Sequence, residues 1–206
     1  MTLRAVIFDF GDVLVRTVDT SLRAAWEQRL GLPLGGAEQI VFGNENDYSA
    51  QLGRVSATEH WRQVGSQLGL DDAALRRFRE DFFAGDQLDL RLVTFVRRLR
   101  HRYHLGLLSN AFGDARQAFA AKFGLLDLFH SVTISAEEGI MKPDPRIYRI
   151  ALARAQVAPE EALFVDDMAR NVEGARAVGM QALHYADPAA ARRELARLTG
   201  VSFPRA

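Results

Sequence analysis

A doubly wound α/β fold with a helical insertion is what this sequence predicts, on three observations. Short apolar runs recur along the chain with polar or turn residues at their carboxyl ends. Helical periodicity fills the gaps between the later runs, and one long stretch near the amino terminus breaks that alternation.

The apolar runs are Ala5 to Phe8, Leu105 to Leu108, Val132 to Ile134, Ala162 to Val165 and Gln181 to Tyr185. Short, uninterrupted runs of this kind suit parallel strands covered on both faces. Helical patterns at Gly113 to Phe123, Pro145 to Ala155 and Met168 to Val178 separate the later ones, so successive strand–helix units with right-handed crossovers are the economical topology. Residues 1–16 and 89–206 are thus expected to form one Rossmann-like parallel core.

Residues 17–88 contain several helical patterns and no convincing buried strand, which predicts a small all-helical cap inserted after the first strand. Its punctuation is partly legible. Ser56 with Glu59 three residues on reads as a capping box, Gly69 closes that helix, and Asp71 starts another that ends near Gly85. Phe42 to Tyr48 reads as a polar and aromatic loop, and its Asn44, Asn46, Asp47 and Tyr48 are the expected cap contacts to substrate.

Composition narrows the function class. The 26 Lys and Arg balance the 26 Asp and Glu, which leaves no net field to hold nucleic acid or an anionic membrane. The basic run Arg97, Arg98, Arg100 and Arg102 reads as a solvated helix face. With no Cys there is no disulfide framework, thiolate metal site or Cys nucleophile, and a cytoplasmic location is the default expectation. No segment approaches the roughly 20 apolar residues that span a bilayer. The five His, at 60, 101, 104, 130 and 184, form no metal-binding pattern, and there is no P-loop or Gly-x-Ser-x-Gly.

In open α/β sheets ligands gather beyond the carboxyl ends of the strands, so the residues that follow each run carry the chemistry. The first run ends in Asp9, the second in Ser109-Asn110 and the fourth in Asp166-Asp167, while Lys142 follows the third after a short loop. Alone, each has a bland reading: an Asp or Ser after a strand caps a helix, and a Lys is a solvated surface group. Together they bring carboxylates, a hydroxyl and an ammonium to one rim. Three carboxylates so close repel unless a cation joins them, and all-oxygen donors beside Lys and Ser suit Mg²⁺ and a phosphate. Asp9 would then attack phosphorus.

These residues resemble, in order, the four motifs of the haloacid dehalogenase-like hydrolases, and the resemblance spans nearly the whole chain. It extends over Lys142-Pro143-Asp144-Pro145 to Tyr148 and over Asp166-Asp167 to Asn171-Val172-Glu173-Gly174-Ala175, as in the subgroup with a helical cap after the first motif. The resemblance implies Asp9 as nucleophile and metal ligand, Ser109, Asn110 and Lys142 around the phosphoryl group, and Asp166, Asp167 and the Gly11 carbonyl as further Mg²⁺ ligands. Phosphatases of this family usually carry a second Asp where this chain has Gly11. Asp12, one residue on, points elsewhere in such a loop, so a residue from the cap, or water alone, is the preferred source of the missing acid and base. Small sugar-phosphate phosphatases of the glucose-1-phosphate type share that Gly.

The expected function is therefore Mg²⁺-dependent hydrolysis of a small phosphorylated metabolite, a sugar phosphate among the candidates, by a monomer or homodimer without nucleic-acid or membrane partners. Two alternatives stand beside it: a metal-independent 2-haloacid dehalogenase, which Asp166-Asp167 disfavours, and a non-catalytic phosphate-binding homologue that lost turnover at Gly11.

Overall fold

The computed structural model describes residues 2–204. Its centre is β1 (Ala5–Phe8), buried at every residue. A run of Ala-Val-Ile-Phe tolerates that only in mid-sheet, with helices on both faces. β1 pairs in parallel with β4 (His104–Ser109) on one side and β6 (Ala162–Asp166) on the other. β5 (Ser131–Ile134) and β7 (Gln181–His184) complete the order β5-β4-β1-β6-β7. The chain leaves β1 for one side of the sheet and later crosses to the other, so the switch point lies at the end of β1, immediately before Asp9.

Alternation along β1 divides the core. Val6 and Phe8 pack with α6 (Leu90–Leu99) and α11 (Pro188–Thr199), with α7 (Ala115–Phe123) adding Phe119 and Phe123. Ala5 and Ile7 pack on the other face with α9 (Pro145–Ala155) and α10 (Ala169–Ala177). Each apolar run of the sequence lies in one of these strands, except that Tyr185 stands one residue past β7.

Residues 21–84 form α1 (Ser21–Leu30), α2 (Gly36–Val41), α3 (Glu45–Gln51), α4 (Ala57–Leu68) and α5 (Asp72–Ala84). They have an apolar cluster of their own, in which Trp26, Val41, Trp61, Val64, Phe78 and Phe82 are buried. Ser56 accepts the Glu59 N–H at 3.0 Å and Asp71 accepts the Ala74 N–H at 2.8 Å, as their spacing predicts; Glu59, however, turns its carboxylate to Arg62 and Gln63. Gly69 closes α4 in the left-handed conformation.

The insert also contains what its sequence did not announce. β2 (Val15–Thr17) and β3 (Asp86–Leu88) pair antiparallel at its two ends, a ribbon through which the chain enters and leaves the cap. The segment expected as a loop is largely α3: Asn44 is its N-cap and accepts the Asp47 N–H at 3.0 Å. α8 (Ser135–Glu138) occupies part of the connection between β5 and Lys142. Among the described residues, no helix is long and apolar enough to cross a membrane.

Candidate active site

The carboxyl ends of β1, β4 and β6 meet at one rim because the three strands are adjacent and in register, Phe8 opposite Leu107 and Val165. Asp9 follows Phe8 and donates its backbone N–H to Val165 O at 2.8 Å, and Asp166 is the last residue of β6. Lys142 reaches the same place from the loop after α8, with its side chain almost wholly buried. Its Nζ lies 2.8 Å from Asp9 Oδ1 and 2.7 Å from Asp166 Oδ2. Carboxylate oxygens of Asp9, Asp166 and Asp167 lie within 4.8 Å of one another.

Further bonds fix these groups. Asp9 Oδ1 accepts the Phe10 N–H at 2.8 Å. Asp166 Oδ1 accepts from Met168 N at 2.8 Å, and Asn171 Nδ2 donates to both oxygens of Asp166 at 3.0 and 3.1 Å. Asn171 sits in α10, whose carbonyl at that residue accepts the Tyr148 hydroxyl at 2.8 Å. A Cβ on Gly174 would stand 2.9 Å from both Pro143 and Tyr148, so a side chain there would push α10 off the Lys142 segment.

Electrostatics here are unbalanced. Burial pushes the Asp9 carboxyl up to about 7; Lys142 opposes the shift and Asp166 adds to it. Burial also raises Asp167, with Asp166 and then Asp12 contributing. Burial draws Lys142 down, but Asp9 and Asp166 outweigh it and hold the ammonium above its usual range. One ammonium among three carboxylates leaves an excess of negative charge, and the donors are all oxygen. That set fits a small divalent cation such as Mg²⁺, with Asp9, Asp166 and Asp167 as the groups that would hold it.

Ser109 ends β4, is buried, and lines the cavity beside the rim. Asn110 lines the same cavity, and its side chain turns to the Lys142 backbone. Its Oδ1 accepts the Lys142 N–H at 2.8 Å and its Nδ2 donates to Lys142 O at 3.0 Å, so both ends of the amide hold the lysine's backbone. This positioning role is one that sequence reasoning missed.

The loop from Asp9 to Val15 is tight, with Val13 N donating to Gly11 O at 2.7 Å, so one lone pair of the expected carbonyl ligand is already used. A Cβ on Gly11 would meet nothing within 4 Å. Asp12 carries the positive φ, 52°, and lines a second cavity with Asp167.

The four cap residues expected to meet substrate do not line the main cavity. Asn44 is spent on the cap of α3. Asp47 is buried and accepts from Gly43 N at 2.8 Å and Gln51 Nε2 at 2.7 Å. Asn46 Nδ2 meets His60 Nδ1 at 2.8 Å, and Tyr48 is exposed. The cap faces the rim instead through Phe42, Trp61 and Phe83, around a cavity of about 670 Å³.

A family model described as haloacid dehalogenase-like hydrolase matches residues 3–179. The chain belongs to that family. Among relatives, a sesquiterpene phosphatase of Aspergillus oryzae, astK, is 29% identical over 203 residues, covering 97% of this chain and 98% of that protein. D-ribitol-5-phosphate phosphatase of Bacteroides thetaiotaomicron is 27% identical, over 94% of this chain and 97% of that one. Some longer relatives are spanned over only 19% or 40% of their length. A family enzyme of Bacteroides thetaiotaomicron, solved in complex with magnesium and inorganic phosphate, superposes with a TM-score of 0.73 at 18% identity, covering 88% of this chain and 93% of that one. That likeness shows the fold.

Proposed function

We propose that this haloacid dehalogenase-like hydrolase is a Mg²⁺-dependent phosphatase that forms an aspartyl-phosphate on Asp9. The observation that carries the reading is the convergence of Asp9, Asp166 and Asp167 within 4.8 Å around the buried Lys142 ammonium. The relatives' names, one a sesquiterpene phosphatase and one a ribitol phosphate phosphatase, support phosphate-ester hydrolysis and differ over the leaving group.

The steps follow from the side chains. Lys142 and Ser109 hold phosphoryl oxygens, and Mg²⁺, when bound, supplies positive charge that lets an anionic carboxylate approach an anionic ester. Phe10 N–H and Lys142 both bind Asp9 Oδ1, which leaves Oδ2 to attack phosphorus. The alcohol departs with the electron pair of its bond to phosphorus. Water then attacks phosphorus, frees the Asp9 carboxylate and carries its oxygen away in inorganic phosphate. Gly11 supplies no acid to the departing alcohol, so rates should depend steeply on the leaving group's own acidity.

A metal-free haloacid dehalogenase fits less well, because three carboxylates at the rim repel a carboxylate substrate. The test is phosphate release from a panel of esters, with Mg²⁺ and with chelator, by wild type and Asp9→Asn. Mg²⁺-dependent release by the wild type alone is expected. Absence of release, or halide release from a haloacid without metal, overturns the proposal.

A further inference from the structure

The cavity that opens from Gly11, Asp12 and Ser109 is where an ester's alcohol must lie if its phosphoryl group sits at Asp9. Its walls are aromatic. Phe42, Trp61 and Phe83 come from the cap, and Phe112, Phe119 and Phe123 from the core. Phe119 stacks on Phe10 with ring centroids 3.6 Å apart, and Phe42 stands 6.2 Å from Phe112 across the gap between the two parts. Ala115, Ala118 and Ala121 of α7 add small apolar surface.

Polar side chains also line this space, but away from the reacting end most already have a protein partner. Arg23 donates to Phe82 O at 2.7 Å and Thr17 Oγ1 at 3.1 Å, and faces Glu38 at 3.8 Å. Thr17 donates to Asp86 at 2.6 Å. Arg79 pairs with Asp114 at 2.7 Å, Gln51 donates to Asp47 at 2.7 Å, and Lys122 donates to Phe83 O. A polyol seated against the aromatic part of this lining would exchange hydrogen bonds with water for contact with phenyl rings. Each bond not replaced lowers affinity by roughly tenfold. A hydrocarbon gains instead, by about fourfold for each methylene it buries.

We propose that the substrate is the phosphate monoester of a bulky apolar alcohol, and that this aromatic cavity selects it against sugar and polyol phosphates. The inference rests on the phosphatase reading for its chemistry: the bond from phosphorus to the alcohol oxygen breaks, and water supplies the proton of the alcohol and the hydroxyl of the released phosphate. It adds what the alcohol is. A volume of about 670 Å³ is within the range of cavities that enclose a whole small-molecule ligand.

The test uses the full chain with Mg²⁺ and two homologous series. Straight-chain alkyl phosphates from ethyl to dodecyl are compared with polyol phosphates of equal carbon number by kcat/KM. The matching alkylphosphonates, which cannot be hydrolysed, are titrated by calorimetry, and acetyl phosphate serves as a substrate too small to reach the aromatic walls. Both kcat/KM and phosphonate affinity should rise several-fold per methylene until the cavity fills, with polyol phosphates at least tenfold behind. Phe83→Asp and Phe112→Asp should each flatten the rise. A flat phosphonate series, or polyol phosphates equal to or better than alkyl phosphates, overturns the proposal while acetyl phosphate hydrolysis keeps the phosphatase reading. Rising phosphonate affinity without hydrolysis of any ester, acetyl phosphate included, overturns the phosphatase reading and with it the proposal that these esters are substrates.

Discussion

Asn110 closes its side-chain amide on both backbone polar groups of Lys142, at 2.8 and 3.0 Å, and so ties the end of β4 to the loop that delivers the buried ammonium. This clamp holds the backbone of the lysine whose Nζ lies between Asp9 and Asp166. Asn110→Ala should lower kcat by about tenfold to a hundredfold, because small misplacements near the reacting atoms cost that much. It should also cost about 1–3 kcal/mol of stability through the unpaired Lys142 amide. Steady-state kinetics and denaturant melts read both, and an unchanged kcat would show that the clamp is dispensable.

Gly11 has room for a carboxylate, since a Cβ there meets nothing within 4 Å and its backbone is not left-handed. Gly11→Asp should therefore fold and raise kcat for esters of weakly acidic alcohols, within the roughly 10² to 10⁴ available to a placed acid. Asp12, held at a positive φ of 52°, lines both the main cavity and the second one with Asp167, but stands one residue past the position of the usual acid, so Asp12→Asn should leave turnover within about threefold of wild type. A loss of activity in Asp12→Asn comparable to the gain in Gly11→Asp would instead assign the acid to Asp12.

The buried carboxyl of Asp9 sets a pH dependence. Without metal it keeps its proton to about pH 7 in the folded chain, against a usual value of 3.8. Between those values the native state binds more protons than the unfolded one, so metal-free stability falls as pH rises through that window. Mg²⁺ needs the carboxylate and must displace the proton, so its effect on Tm should be small near about pH 5 and larger near about pH 8. Thermal melts with Mg²⁺ or chelator at the two pH values check this, with Asp9→Asn expected to lose the difference. An equal Mg²⁺ shift at both pH values would argue against Asp9 as a ligand.

The parts legible in the sequence are those where local pattern and tertiary role coincide. Each buried strand is a short apolar run that ends at a polar residue, so Asp9, Ser109 and Asp166 announce both a strand end and a site. β2 and β3 are three residues each, mostly half-buried and paired antiparallel with one another, and Val-Arg-Thr or Asp-Gln-Leu carries no strand signature. Asn44 and Asp47 illustrate a different ambiguity. A polar stretch serves a solvated loop, a binding loop or a helix cap equally well, and only the backbone of α3 decides. The Asn110 clamp joins residues 32 apart, and the aromatic walls draw on elements scattered from Phe10 to Phe123; neither leaves a local trace.

The central claim is that phosphorus bonds to Asp9 during turnover. Rapid acid quench of a single turnover with Mg²⁺, followed by peptide mass spectrometry, reads that bond directly. The account predicts a phosphoryl group on the peptide that contains Asp9, formed and lost at rates no slower than kcat, and absent from Asp9→Asn, which should be inactive. Phosphate release by Asp9→Asn at the wild-type rate, with no phosphoryl group on that peptide in the wild type, would contradict it.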